Sequence, residues 1–139
     1  MAKKLFTEKS VKEIEDKMAK RISKRTVEIA RAIHWSLISK PPQGTPVKTG
    51  WARSNWMISR NRRFVGLIGS KENVDDTRMM ASRKAILNYD IRKARSIFIS
   101  NNVPYIYKLN YTDGYLFIEK AKQRALNKFG AYKEKVRLL

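Results

Sequence analysis

The sequence predicts a single α+β domain over residues 1–139, in which a long N-terminal helix packs on a small, mainly antiparallel sheet with two or three further helices. Apolar residues recur at helical spacing up to about residue 39, and short alternating segments follow. Helical periodicity returns after residue 77. The chain has 139 residues, of which 42% are hydrophobic, so it can bury a core as one domain.

A capping box and an apolar stripe predict the N-terminal helix. Ser10 and Glu13 have the spacing at which a serine side chain accepts a backbone amide and a glutamate reaches back. Pro41 and Pro42 should end the helix near Ser39, because proline lacks an amide hydrogen and restricts the preceding residue. The predicted length is about 28 residues, or ~42 Å. The helix is expected to pack on the sheet along part of its length and to contact other chains with the rest. Its apolar stripe is Val11, Ile14, Met18, Ile22, Ile29, Ile33 and Leu37.

The middle of the chain is predicted to contain short strands and one helix, separated by turn residues. Residues 55–59 and 64–69 are predicted to form two strands of a hairpin around a basic turn at 60–63. A helix is predicted from Thr77 to about Tyr89. A strand is predicted at residues 96–100.

The C-terminal part is predicted to be helical with a break. Pro104 can occupy the first position of a short helix, which Asp113 and Gly114 end. A last helix is predicted from Tyr115 to about Asn127, and a basic tail from about residue 130 is expected to be mobile or bound to a partner. The apolar positions of that helix are Leu116, Ile118, Ala121, Ala125 and Leu126.

Positive charge is the main feature of the composition. The chain has 31 Lys and Arg against 12 Asp and Glu, a formal net charge of +19. Such a chain is expected to contact an anionic partner. No acidic residue occurs between Glu28 and Glu72, whereas this interval contains the cations Arg31, Lys40, Lys48, Arg53, Arg60, Arg62, Arg63 and Lys71.

The sequence does not predict an enzyme, a metal site or a cofactor. It has no cysteine, which excludes disulfides, thiolate metal sites and cysteine nucleophiles. The single histidine, His34, has Leu37 and Ile38 at the helical positions where a second ligand would be needed, so a packing or surface role is expected. Asp75 and Asp76 are expected to favour the start of the second helix. The sequence contains no run of ~18 apolar residues, so no membrane span is predicted.

Two interpretations remain open for the predicted basic turn. Arg60, Arg62 and Arg63 lie between Trp56 and Phe64, so the cations could hold phosphates while the aromatic rings stack on bases. Alternatively, the turn is simply exposed to solvent and the aromatic residues belong to the core.

Two sequence blocks resemble those of neck and tail-completion proteins of tailed bacteriophages. Residues 46–56, PVKTGWARSNW, are similar to that family's P-V-[DK]-T-G-x-[AL]-[RS]-x-[SN]-[WI] segment, which follows a long N-terminal helix. Residues 97–110, IFISNNVPYIYKLN, are similar to its strand and [NS]-x-x-P-Y-[AI]-x-x-[LI]-E segment. Asn110 replaces the usual acid, and residues 111–114 replace a glycine-led loop. The subtype therefore stays open between a completion protein, a tail terminator and another neck ring.

The resemblance implies a structural protein of the virion, made in the host cytoplasm. It implies a homo-oligomeric ring, of six copies in the family, between the DNA-filled head and the tail. The partners implied are a head-side connector, tail-tube or terminator proteins, and genomic DNA. The alternative function is a free nucleic-acid-binding protein. The candidate contact residues are Lys48, Arg53, Arg60, Arg62 and Arg63.

The resemblance also implies structural roles within the two blocks. Pro46 would stiffen the exit from the loop, and Thr49 with Gly50 would form a turn in which glycine tolerates a positive φ. The other implied roles are strand anchoring by Trp51 and Trp56, and closure of the core by a short helix that contains Pro104, Tyr105 and Leu109.

Overall fold

The protein has the predicted α+β fold. The computed structural model describes residues 7–94 and 96–137, with side chains as far as residue 130. The helices are α1 (Glu8–Ile38), α2 (Trp51–Ser54), α3 (Thr77–Ala85) and α4 (Phe117–Arg137), and the strands are β1 (Met57–Arg60) and β2 (Ile97–Ser100). A 3-10 turn at Ile86–Asn88 extends α3, and a π-helical turn occupies Lys108–Thr112.

Helix α1 begins slightly earlier than predicted and ends where the two prolines require. The Thr7 side chain accepts a hydrogen bond from the Ser10 amide at 3.1 Å, and the Ser10 hydroxyl accepts one from the Thr7 amide at 2.8 Å. Ser10 is therefore the third helical residue rather than the cap, and Glu13 has no part in the capping box. The helix has 31 residues, a length of about 46 Å.

The core-facing side of α1 differs from the predicted apolar stripe. Val11, Ile14 and Met18 are exposed. The buried face instead includes many small residues. Its members include Ala19, Ser23, Val27, Ala30, His34 and Leu37. Hydrophobicity alone misses this face, because alanine and serine contribute little to an apolar stripe.

The sheet pairs two strands that are distant in sequence. β1 is antiparallel to β2, with Met57 opposite Ser100 and Arg60 opposite Ile97. The strand predicted at 96–100 is confirmed, but the hairpin with residues 64–69 is wrong, because that segment is irregular. Gly66 and Gly69 adopt φ values of +129° and +64°, which are incompatible with a regular strand.

Helix α3 covers one edge of the sheet. The Ser82 hydroxyl accepts a hydrogen bond from the Ile58 amide at 3.3 Å, so a side chain occupies the place of a further strand. The Asp75 carboxylate accepts the Thr77 amide at 2.9 Å at the start of α3, as expected for an acidic residue there. The predicted helix over residues 77–89 is confirmed as α3 and the 3-10 turn.

Helix α4 begins and ends later than predicted. Leu116, expected to be apolar and buried, has φ +52° and is 42% exposed, whereas Phe117 is fully buried. The predicted basic tail is helical as far as Arg137, after a break at Phe129 with φ −115° and ψ 19°. Residues 138–139 lie outside the described residues.

The core consists of two clusters on either side of β1. Met57 contributes to one and its neighbour Ile58 to the other, as expected for adjacent residues of a strand. The first cluster comprises Leu37, Ile38, Trp56, Met57, Ile68, Met79, Phe117 and Ala121. The second comprises Val27, Ala30, Ile58, Ile86, Tyr89 and Ala94. Within the described residues, no helix combines the length and apolar character needed to cross a membrane.

Phe117→Ala is expected to lower the free energy of unfolding by about 3–5 kcal/mol, because it removes a fully buried ring from the core. Urea denaturation followed by tryptophan fluorescence would measure the change. Leu116→Ala is the matched control, expected to change stability by less than about 0.5 kcal/mol. Equal losses for both variants would contradict the placement of Phe117 in the core.

Candidate partner and nucleic-acid interface

The first sequence block forms a joint between α1 and β1. The Thr45 hydroxyl donates to the Leu37 carbonyl at 2.8 Å, near the end of α1, and accepts from the Trp56 indole at 2.7 Å. The Trp56 ring also meets Phe117 edge-on, with centroids 6.0 Å apart. Trp56 therefore anchors the start of β1 on both long helices.

Asn55 closes the joint from within the core. Its amide nitrogen donates to the carbonyls of Trp51 at 2.8 Å and Ile68 at 3.0 Å, and its oxygen accepts from the Ile68 amide at 2.8 Å. The Trp51 indole donates to the same Ile68 carbonyl at 3.0 Å. These bonds satisfy the backbone of the irregular segment, which explains why this segment needs no partner strand.

A turn at Thr49 and Gly50 precedes α2. Gly50 adopts φ +89°, and the Thr49 hydroxyl accepts the Trp51 amide at 3.2 Å. No helix was predicted between this turn and the strand at 55–59, but residues Trp51–Ser54 form one helical turn. Pro46, which precedes this turn, is half-buried.

The second block packs against the first. The ring centroids of Trp51 and Tyr105 are 5.9 Å apart, and Thr49 and Tyr105 line the same cavity. Leu109 packs on the first core cluster, whereas Tyr105 is only half-buried at its edge. The helical turn begins after Pro104, because residues 104–105 form a turn and the Tyr105 carbonyl accepts the Leu109 amide.

The five candidate contact residues do not form one site. Lys48 lines a cavity of about 360 Å³ at the joint, together with Lys71 and Lys108, and no arginine of the basic turn lines it. Arg53 is half-buried, and its buried Nε has no hydrogen-bond partner among the described residues. The cavity that contains Lys48 is thus separate from the basic turn.

The basic turn is exposed, but its flanking aromatic residues belong to the core. Arg60, Arg62 and Arg63 are exposed, and Arg63 donates to the Asn102 side chain at 3.0 Å. Trp56 is only 4% exposed, so it is not free to stack on a base. Phe64 is half-buried against the first core cluster. Stacking of bases on these two flanking rings therefore finds no support.

A larger basic cavity lies elsewhere and was not predicted. We name it the basic groove: a cavity of about 780 Å³ between α1, the 3-10 turn and α4. Its charged lining residues are Lys20, Lys24, Glu28, Arg31, Arg83, Asp90, Arg92 and Lys128. Lys20, Lys24 and Arg31 recur at spacings of four and seven residues, so the sequence carried a signal for one basic face of α1.

His34 lies behind this groove with a structural role. Its Nε2–H donates to the Trp56 carbonyl at 2.7 Å, and its Nδ1 accepts from the Arg83 guanidinium at 2.8 Å. Burial, together with the positive charges of Arg83 and Arg31, lowers the pKa of His34 to about 4. The imidazole is therefore neutral at pH 7 and acts as an internal hydrogen-bond bridge, which agrees with the expected packing role.

In the part of the chain that the structure describes, no group of acidic and histidine side chains is arranged to hold a metal ion. No protein-family model, curated protein or solved structure matches the chain.

Asn55→Ala is expected to lower the free energy of unfolding by about 2–4 kcal/mol, because it leaves the buried Ile68 amide without an acceptor and removes one of the two donors from each of the Trp51 and Ile68 carbonyls. Thermal and urea denaturation would measure the loss. Asn127→Ala on the exposed face of α4 is the control. It should be neutral or slightly stabilising, because alanine favours a helix. Similar effects for the two variants would contradict a structural role for Asn55.

Stability is expected to fall as the pH decreases from about 6.5 to 4. The folded pKa of His34 is below its unfolded value of 6.5, so acid protonates the unfolded chain first. The full loss from this group is about 3 kcal/mol, at about 1.4 kcal/mol per pH unit. Urea denaturation at several pH values would measure it. His34→Gln should flatten the dependence in this interval, and an unchanged slope in that variant would refute the assignment.

Proposed function

We propose that the chain is a structural subunit of a tailed-bacteriophage neck, forming a ring that joins the DNA-filled head to the tail. The observation that carries this proposal is the contact between the two sequence blocks, through the rings of Trp51 and Tyr105. The blocks are far apart in sequence but form one joint beside α1. This joint gives a structural role to the residues that resemble the phage family. Such a protein works by binding rather than turnover.

Exposed apolar side chains support a role in assembly. Val11, Ile14 and Met18 form an exposed stripe on the N-terminal half of α1. Val65 and Leu67 are exposed in the irregular segment. Apolar surface of this kind is typical of contact sites. A ring requires two different contact surfaces on each subunit, and these regions are available to supply them.

The positive charge fits contacts at the rims of such a ring. A channel that passes DNA works best without tight phosphate contacts. We therefore assign most of the exposed cations, including Arg60, Arg62 and Arg63, to rims that face acidic neighbouring proteins or the end of the DNA. Charge complementarity would then set orientation and association rate.

A free nucleic-acid-binding protein is the second candidate. The observation that favours it is the basic groove, which adds a concave cationic surface to the exposed turn. A dedicated binder should retain a specific complex at physiological salt, whereas an assembly subunit should show weak binding that is steeply dependent on salt.

Deletion of the gene from its parent genome is expected to leave DNA-filled heads and tails unjoined, or tails with abnormal ends, in electron micrographs. Expression of the intact protein should restore joined particles. Normal infectious particles without the gene would refute the proposal.

Complementation with Ile14→Ser/Met18→Ser is expected to restore few joined particles, because it removes apolar contact area from the exposed stripe. Glu15→Ser/Lys17→Ser is the matched control, since it places two serines in the same part of α1 at exposed polar positions. The control should restore joining. Equal particle yields for the two variants would exclude the stripe as an assembly surface.

A further inference from the structure

Most cations of the basic groove lack acidic partners. The carboxylate of Asp90 pairs with Arg92 at 3.0 Å. Glu28 pairs at 3.3 Å with Arg25, a residue that does not line the groove. Among the described side chains, no carboxylate forms an ion pair with Lys20, Lys24, Arg31, Arg83 or Lys128. The groove thus carries an excess of positive charge on a concave wall, which strengthens the field on an anion.

Two of these cations lie together at the base of the groove. Arg83 is buried, and its guanidinium donates to the Arg31 carbonyl at 3.1 Å as well as to His34. Burial and the neighbouring charge of Arg31 lower the pKa of Arg83. The Nε of Arg31 is also buried and has no hydrogen-bond partner among the described residues. A pair of like charges with an unsatisfied donor gains stability when an anion accepts its hydrogen bonds.

The cations along α1 form a row. Lys20, Lys24 and Arg31 lie along one side of the helix over about 16 Å, at 1.5 Å per residue. A row of this length matches a repeating polyanion better than a single carboxylate. Trp35 continues the row, is 58% exposed, and has the Arg83 guanidinium 5.3 Å from its ring centre. An exposed aromatic ring beside cations is typical of surfaces that bind single-stranded nucleic acid.

We propose that the basic groove binds a nucleic-acid strand through its phosphate groups. Arg31 and Arg83 hold one phosphate at the base, Lys20, Lys24 and Lys128 contact its neighbours, and Trp35 offers a ring face to an unpaired base. The site differs from the basic turn, where the flanking Trp56 is buried and Phe64 is half-buried. The inference deepens the second candidate function by locating its binding site, and it does not rest on the virion role.

The test compares two variants with equal charge. Lys20→Gln/Lys24→Gln/Lys128→Gln changes three exposed residues of the groove, and Arg60→Gln/Arg62→Gln/Arg63→Gln changes three exposed residues of the turn. Both remove three positive charges, so any effect of net charge on affinity is the same. Circular dichroism would verify that each variant is folded. Fluorescence anisotropy with a labelled oligothymidylate would give Kd over a range of salt concentrations.

The groove variant is expected to bind at least about tenfold more weakly near physiological salt, and its log Kd against log salt should be shallower by about 2, because three contacts with a single strand are lost. The turn variant should lose less than about threefold. Equal losses would overturn the proposal in favour of diffuse attraction, and a larger loss in the turn variant would place the site there.

A competition experiment distinguishes nucleic acid from an acidic protein segment. Poly-glutamate of the same charge should displace the bound oligonucleotide poorly. Its carboxylates are not spaced like the phosphates of a nucleic acid, and it has no base that could stack on Trp35. Displacement at equal concentration would overturn the proposal and assign the groove to an acidic protein. Trp35→Ala should weaken oligonucleotide binding by about fivefold or more, as expected for loss of a stacked base, and unchanged affinity would contradict the placement of the strand.

Discussion

The hydrogen bonds of one neutral imidazole connect α1, β1 and α3. His34 reaches from α1 to the Trp56 carbonyl at the start of β1 and receives the guanidinium of Arg83 from α3. A protonated ring could not accept from Arg83, so the arrangement requires an uncharged histidine. Its burial enforces that state. The joint of the first sequence block and the base of the basic groove therefore share a single side chain.

Local signals in the sequence identified the elements that depend on local physics. The end of α1, the position of α3 and the β2 segment follow from prolines, acidic residues before a helix and apolar alternation. The strand pairing did not follow, because Asn55 and Asn102 satisfy the backbone of the irregular segment from distant positions. Polar side chains that replace a partner strand leave no periodic pattern in the sequence.

The candidate site was only partly visible for a related reason. The arginines of the basic turn are close together in sequence and are therefore recognised as a cluster. The basic groove instead combines cations of α1 with Arg83 and Lys128 from two other helices. Sequence spacing can group the cations of α1, but it cannot show which helices face them. Likewise, Ala19 and Ser23 lie on the buried face of α1. The sequence pattern instead pointed to isoleucines, several of which are only half-buried.

The hydrogen bond from Ile58 to Ser82 has a consequence for how copies of the chain can associate. An exposed strand edge invites another chain to extend the sheet through its backbone, which is a common route to aggregation. Here α3 covers that edge and Ser82 satisfies the outward amide of β1. Growth of the sheet at β1 is thereby blocked. Any contact with another copy at this side would then depend on side-chain shape and charge, which discriminate between partners, rather than on backbone pairing, which does not.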